Sequence, residues 1–292
     1  MQVSMTLPVM VPHGRAETLA WCRGIDEGPW TSLAVPERVT YPSQDWSIQL
    51  GAAAALTERV RLWTTLIVLP AHDAVDVAKR VASADVLSGG RLTIGVGVGG
   101  REHDYRALSA PYDRRWQRMD EQVAAMRRIW AGEPPFDGAD PVGPPPVQPG
   151  GPPMIAGVMG PKAIARAAQW ADGVDGAWTF DGSLDIMAAA FDTIRTAWKD
   201  AGRDEPPHLS SSVWYALGDG AEQRLRDYAF SYMKVFNEDV ARYTAEAVTT
   251  FTPDALRQAV DNARAAGADE FFLVPTTADV TELDRTRDAL GI

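Results

Sequence analysis

The chain has 292 residues, 46% of them hydrophobic and 23% charged, with a formal charge of −11 and a pI near 4.9. The composition is that of an ordinary globular protein, and with no basic patch to offset the acidic balance it speaks against nucleic acid or an anionic membrane surface as partner. A single cysteine, Cys22, excludes an intramolecular disulfide and any cysteine-based metal cluster.

The chain passes from Met1 into a strand, without a basic region followed by an apolar signal core, and no apolar run approaches membrane-spanning length. The expected compartment is the cytoplasm. Apolar spacing then alternates between strand and helix periods almost from end to end. Residues 3–9 read as a strand, residues 17–26 as a helix that buries Cys22 as an inert thiol, and residues 32–35 as a second strand. A helix is expected over 45–57 with Ile48, Ala52, Ala53 and Leu56 on its inner face, followed by a β-branched strand at 61–69. The next helix, 74–87, turns Val77, Ala78, Val81 and Ala82 inward, and the fourth strand covers 92–98. Trp116, Met119, Val123, Met126 and Trp130 form one stripe of a helix over 115–130, which reads as core packing.

Residues 132–153 carry nine of the 21 prolines, so they form neither helix nor central strand but a rigid surface excursion within a single domain spanning 1–292. The alternation then resumes: strand 154–158, helix 161–171, strand 176–179, helix 184–201, strand 209–217 and a long helical segment from Ala221. Thr252-Pro253-Asp254 starts a helix that ends at Ala266-Gly267; residues 271–275 form the last strand and 280–290 the closing helix. Eight strands interleaved with helices fit a (β/α)8 TIM barrel, with a doubly wound open sheet as the runner-up.

Gly157-Val-Met-Gly-Pro-Lys162 reads as a phosphate cradle: an apolar strand ends at Met159-Gly160, and Pro161 opens a helix. The free amides of that first turn, the helix dipole and Lys162 offer an anion site, and an ordinary strand-to-helix connection has the same local pattern. Gly95-Val-Gly-Val-Gly-Gly100 satisfies the dinucleotide pattern, but its glycines lie within a strand and Asp120 falls in a helix, so a nicotinamide fold is not expected. In a barrel, such glycines thin a strand so that a flat ring can approach it. No metal-spaced His or carboxylate cluster and no Gly-x-Ser-x-Gly motif is present.

The stretch Asp85-Val-Leu-Ser-Gly-Gly-Arg-Leu-Thr-Ile-Gly-Val-Gly-Val-Gly-Gly100 resembles the fourth-strand signature of luciferase-like flavin and deazaflavin oxidoreductases. Ala34-Val-Pro-Glu37, Thr64-Thr-Leu-Ile-Val-Leu-Pro70, the Gly157–Lys162 loop and Gly267-Ala-Asp-Glu-Phe-Phe-Leu-Val-Pro275 match the same family in the same order. The resemblance implies a ring over the C-terminal mouth of the barrel and its phosphate after strand five, with Leu66, Ile67, Gly99, Gly157, Met159, Gly160 and Lys162 as the cofactor-binding residues. It also implies a non-proline cis peptide in strand three, which maps to Leu66–Ile67.

The luciferases usually place histidine where this chain has Arg38, and arginine cannot serve as a general base. Arg38 can hold an anionic substrate or the acidic coenzyme tail, or make a surface ion pair. The family's sugar-phosphate dehydrogenases carry glutamate where Gly100 stands, so that acid does not transfer. Glu37 and His103 remain the candidate acid–base pair, and Trp178 and Trp214 candidate walls for the substrate. The Gly-Pro-Lys loop is closer to the methylene-tetrahydromethanopterin reductase branch, which implies the 5-deazaflavin coenzyme F420 and hydride transfer to or from a small molecule. The alternatives are an FMN-dependent monooxygenase fed by a separate flavin reductase, and a silent flavin-binding protein. A homodimer is left open.

Overall fold

β1 (Gln2–Thr6) pairs on one side with β2 (Ser32–Val35) and on the other with β8 (Glu270–Pro275), which closes the sheet on itself. The computed structural model describes residues 1–292, and its strands run around the ring in chain order, all parallel. The expected barrel is therefore the architecture, and an open sheet is excluded because neither β1 nor β8 is an edge. Between β1 and β4 (Leu92–Gly97) the chain forms α1 (Arg15–Glu27), α2 (Trp46–Leu56), β3 (Arg61–Val68) and α3 (Ala74–Ser88). The ring continues with β5 (Met154–Gly157), β6 (Gly173–Asp175) and β7 (His208–Tyr215). Helices α4 (Glu102–Ala107) and α5 (Arg115–Trp130) follow β4, α6 (Pro161–Ala167) follows β5, and α7 (Leu184–Asp200) follows β6. After β7 come α8 (Ala221–Met233), α9 (Glu238–Ala247) and α10 (Pro253–Ala266), and α11 (Thr281–Leu290) closes the chain.

Local chemistry sets these limits. Asp45 and Asp73 each accept two backbone amides of the helix they precede, and Thr252 accepts the Ala255 amide, so α2, α3 and α10 start where a short polar side chain replaces missing intrahelical partners. Asn237 caps α9 in the same way, which is why the expected long helix from Ala221 is two helices. The cap at Asp45 also sets the phase of α2. Trp46, Gln49, Leu50 and Ala53 go inward, while Ile48 is 68% exposed, against expectation. Val77, Ala78, Val81 and Ala82 of α3 are buried as their spacing predicts, and so is Cys22, whose thiol burial pushes up to about 12.

One strand lies three residues earlier than expected. The Asp172 amide donates to the Met154 carbonyl at 2.8 Å, and the Asp172 carboxylate accepts from the Met154 amide at 2.7 Å. These bonds start β6 at Gly173, so residues 176–179 become the loop beyond it, and α6 stops at Ala167 to leave room for the turn.

Inside the barrel, alternate residues point to the axis. Ala34, Trp63, Ile155 and Phe272 pack together there, beside a polar layer in which Ser4 donates to Glu270 at 2.5 Å and Ser210 donates to Asp175 at 3.2 Å. His208 lies partly buried, 3.6 Å from the same Glu270. The proline-rich segment 132–153 carries no helix or strand. Buried Asp85 holds it, accepting the Val147 and Gln148 amides at 2.8 and 3.0 Å and the Gln148 side chain at 2.7 Å. No helix is long and apolar enough to cross a membrane.

Candidate active site

A cavity of about 630 Å³ opens at the C-terminal ends of the strands, within the size range of small-molecule sites. One wall is poor in side chains: Gly97 at the end of β4, Gly99 and Gly100 just after it, and Gly157 at the end of β5. The peptide bond between Thr65 and Leu66 in β3 is cis, one residue before the position the family resemblance implied. The β3–β4 register shifts between Thr64 and Ile67, and Leu66 turns across β4. A methyl group on Gly157 would overlap the Leu66 side chain, and one on Gly97 would lie 3.1 Å from it. The glycines therefore seat Leu66, rather than directly exposing backbone to a ring. Leu66, Ile67, Gly99, Gly157 and Met159 all line the cavity.

Gly160 and Lys162 do not line it; they sit on the exposed turn just past Met159. Gly160 has φ +83 and caps α6, a backbone conformation open to glycine alone among ordinary residues. The first intrahelical bond runs from the Ile164 amide to the Gly160 carbonyl, so the amides of Lys162 and Ala163 precede the helical ladder.

Another side of the mouth is aromatic, and it meets the glycine wall where Phe236 lies against Gly100. Trp178, three residues past β6, lies 4.7 Å from the Trp214 ring, which lies 4.7 Å from the Tyr232 ring of α8. Tyr232 stacks with Tyr41 at 6.3 Å, and Met233, Phe236 and Val240 complete this wall. The Arg38 guanidinium sits over the Tyr232 ring at 4.8 Å. Its hydrogen bond is from Nη1 to the Glu37 carbonyl at 2.8 Å, and its buried Nε has no partner. Burial pushes its proton affinity down, while the surrounding tyrosines and Asp104 oppose that shift.

Alternation separates the residues after β2. Pro36 and Arg38 face the cavity, whereas Glu37 between them faces away. The Glu37 carboxylate accepts the Val68 amide at 2.6 Å and is bonded to His72 Nε2 at 2.6 Å, both behind the wall. Glu37 is thus removed from the cavity by its own hydrogen bonds. His103 is excluded by helical phase: α4 turns Asp104 and Tyr105 inward and leaves His103 exposed. The pair expected to carry acid–base chemistry is not assembled.

Two other carboxylates, Asp104 and Asp175, line the cavity instead. Asp104 accepts Thr40 Oγ1 at 2.5 Å and lies 3.6 Å from Arg101 Nε, so it is already compensated. Asp175, at the end of β6, has the cavity as its open side. Burial raises its carboxyl to about 6, partly opposed by the Ser210 hydrogen bond and assisted by nearby Glu270. The strand-end position of Asp175 was a usable signal, lost because β6 was placed three residues late. Asp120, the acid of the dinucleotide pattern, is bonded to Arg166 and to Trp170 Nε1 in the helical layer, far from any such role.

The luciferase-like monooxygenase family matches this chain over residues 3–290. The chain belongs to that family. An uncharacterised protein of Mycobacterium tuberculosis is 32% identical over 184 residues, covering 60% of this luciferase-like chain and 58% of the relative, so the match spans under two thirds of that relative's length. The F420-dependent glucose-6-phosphate dehydrogenase of Beutenbergia cavernae is 40% identical over 89 residues, 29% of this chain and 26% of the other. Among solved structures, the monooxygenase RslO1 from Streptomyces bottropensis superimposes with a TM-score of 0.80 at 21% identity, covering 99% and 97% of the two chains. An F420-dependent secondary alcohol dehydrogenase in complex with an F420–acetone adduct gives 0.81 at 18% identity, covering 99% and 98%. The luciferase-like barrel is thus common to F420-dependent and monooxygenase relatives.

Proposed function

We propose that this oxidoreductase binds coenzyme F420 at the barrel mouth and transfers hydride between it and a small organic substrate. The observation that carries the reading is a cavity without histidine, lined both by the strand-end glycines and by the cation Arg38. The residues fit such a group: Leu66, Ile67, Gly99, Gly157 and Met159 would contact its ring, and the Gly160 turn with Lys162 its phosphate. When bound, the coenzyme supplies hydride from its ring carbon, and the protein supplies position and electrostatics. Arg38 stays charged and orients an anionic or carbonyl group. Trp178, Trp214 and Phe236 exclude water. Asp175 can hold a proton at its carboxylate and release it near neutral pH.

An FMN-dependent monooxygenase is the second reading. It is supported by the fit to RslO1 and by 34% identity over 107 residues to 4-hydroxyprotoasukamycin monooxygenase of Streptomyces nodosus subsp. asukaensis, 36% of this chain and 26% of that one. Titration of the purified protein with F420 and with FMN, read by absorbance, separates the two. F420 is expected to bind at least tenfold more tightly, and Lys162→Ala to weaken it about tenfold, the equivalent of one charge-assisted hydrogen bond. Lys162 is exposed, so its removal leaves the melting temperature unchanged. Bound reduced F420 is oxidised only when an acceptor is added. Tighter FMN binding, with oxygen from O2 appearing in a product, establishes the monooxygenase; binding without turnover of any acceptor establishes a silent flavin-binding protein.

A further inference from the structure

Arg38 is a cation that faces the cavity with no ion-pair partner of its own, and Asp104 acts on it only through space. Its guanidinium donates to one backbone carbonyl, its Nε is buried without a partner, and no carboxylate lies within ion-pair distance. Asp104, the acid on the same side of the mouth, is held by Arg101 and by both the amide and hydroxyl of Thr40. The Tyr232 ring lies against the Arg38 guanidinium, 4.8 Å from its central carbon, and restricts its motion. A planar guanidinium so restricted matches a carboxylate through two parallel hydrogen bonds, and supplying that anion relieves an uncompensated charge.

Position separates this cation from the proposed phosphate turn. Arg38 follows β2 and Gly160 follows β5, three strands apart in a ring of eight. The space beside Arg38 is bounded by Trp178, Trp214, Tyr232 and Phe236. With a formal charge of −11, the chain as a whole repels anions, so an anionic ligand needs a local cation of this kind.

We infer that the substrate is an organic carboxylate with an aromatic or apolar body, its anionic end paired with Arg38 and its body against Trp178, Trp214 and Phe236. The inference rests on the proposed cofactor placement, which makes this side of the mouth the substrate side.

The test uses a matched pair of probes, 3-phenylpropanoate and 3-phenylpropanamide, titrated by calorimetry into the whole protein with and without F420. The carboxylate is expected to bind at least tenfold more tightly than the amide. Arg38→Met should remove that preference, Arg38→Lys should retain part of it, and both should keep F420 affinity within threefold. Trp178→Ala should weaken both probes equally and leave their ratio intact. This last variant separates the apolar wall from the anchor and does not depend on Arg38→Met folding. Equal affinity of the two probes for the wild type, binding of neither, or an Arg38→Met protein that loses F420 but keeps the preference overturns the inference. A carboxylate preference that survives when F420 fails to bind upholds the anchor and overturns the cofactor reading instead.

Discussion

Glu37 and His72 share a 2.6 Å hydrogen bond behind the cavity wall, and the second Glu37 oxygen accepts the Val68 amide at 2.6 Å. The carboxylate thereby ties the loop after β2 to the end of β3 and the start of α3. Glu37→Ala leaves the Val68 amide and the imidazole without their partner and is expected to cost about 3 kcal/mol. Glu37→Gln keeps one acceptor and should cost about 1 kcal/mol. Urea unfolding measures both. A stable Glu37→Ala protein would remove this structural role.

Leu66 and Gly157 form a second dependency. Gly157→Ala forces a methyl group into the Leu66 side chain, an overpacking expected to cost about 1–3 kcal/mol. The double variant Gly157→Ala/Leu66→Ala should recover much of that loss, because the clash disappears with the side chain that makes it. A double-mutant cycle of denaturation midpoints reads the coupling. Strict additivity would mean that Leu66 does not occupy this space.

Asp175 gives the barrel a pH dependence of definite sign. Burial raises its carboxyl from 3.8 to about 6 on folding. Between these values the folded chain binds more protons than the unfolded one, so this group's contribution to stability falls as pH rises from about 4 to about 6, and the loss persists above that. The full effect of such a shift is at most about 3 kcal/mol, reduced by water in the cavity. Asp175→Asn removes the titration. It should be more stable than the wild type at pH 7 and nearly equal to it at pH 4. Parallel pH profiles for the two proteins would contradict the assignment.

The barrel was legible in the sequence because its strands are apolar runs separated by well-capped helices; Thr252-Pro253 and Gly267 mark the ends of α10 in plain chemistry. The cavity's glycine wall was legible for the same reason, as glycine has few uses inside a strand. What failed was phase. Whether Glu37 or Arg38 faces the cavity is a matter of one residue, and so is whether His103 or Asp104 faces it. Local spacing near an element's end does not fix that phase; the hydrogen bonds of Val68 and Thr40 do. The aromatic residues at the end of α8 and in the turn after it were missed because they are distant in the chain from the strand ends, and nothing local distinguishes Tyr232 or Phe236 from an ordinary core or surface residue.

The Asp85 clamp has a consequence for handling the protein. Asp85 lies near the end of α3, and the segment it holds leads into the start of β5, so the proline-rich strap runs along the floor of the barrel, away from its mouth. Phe136 within that strap is 70% exposed. A dye, an affinity peptide or a surface tether placed near Phe136 would leave the reacting end free to open into solution. The strap is a natural handle on the side of the molecule that does no chemistry.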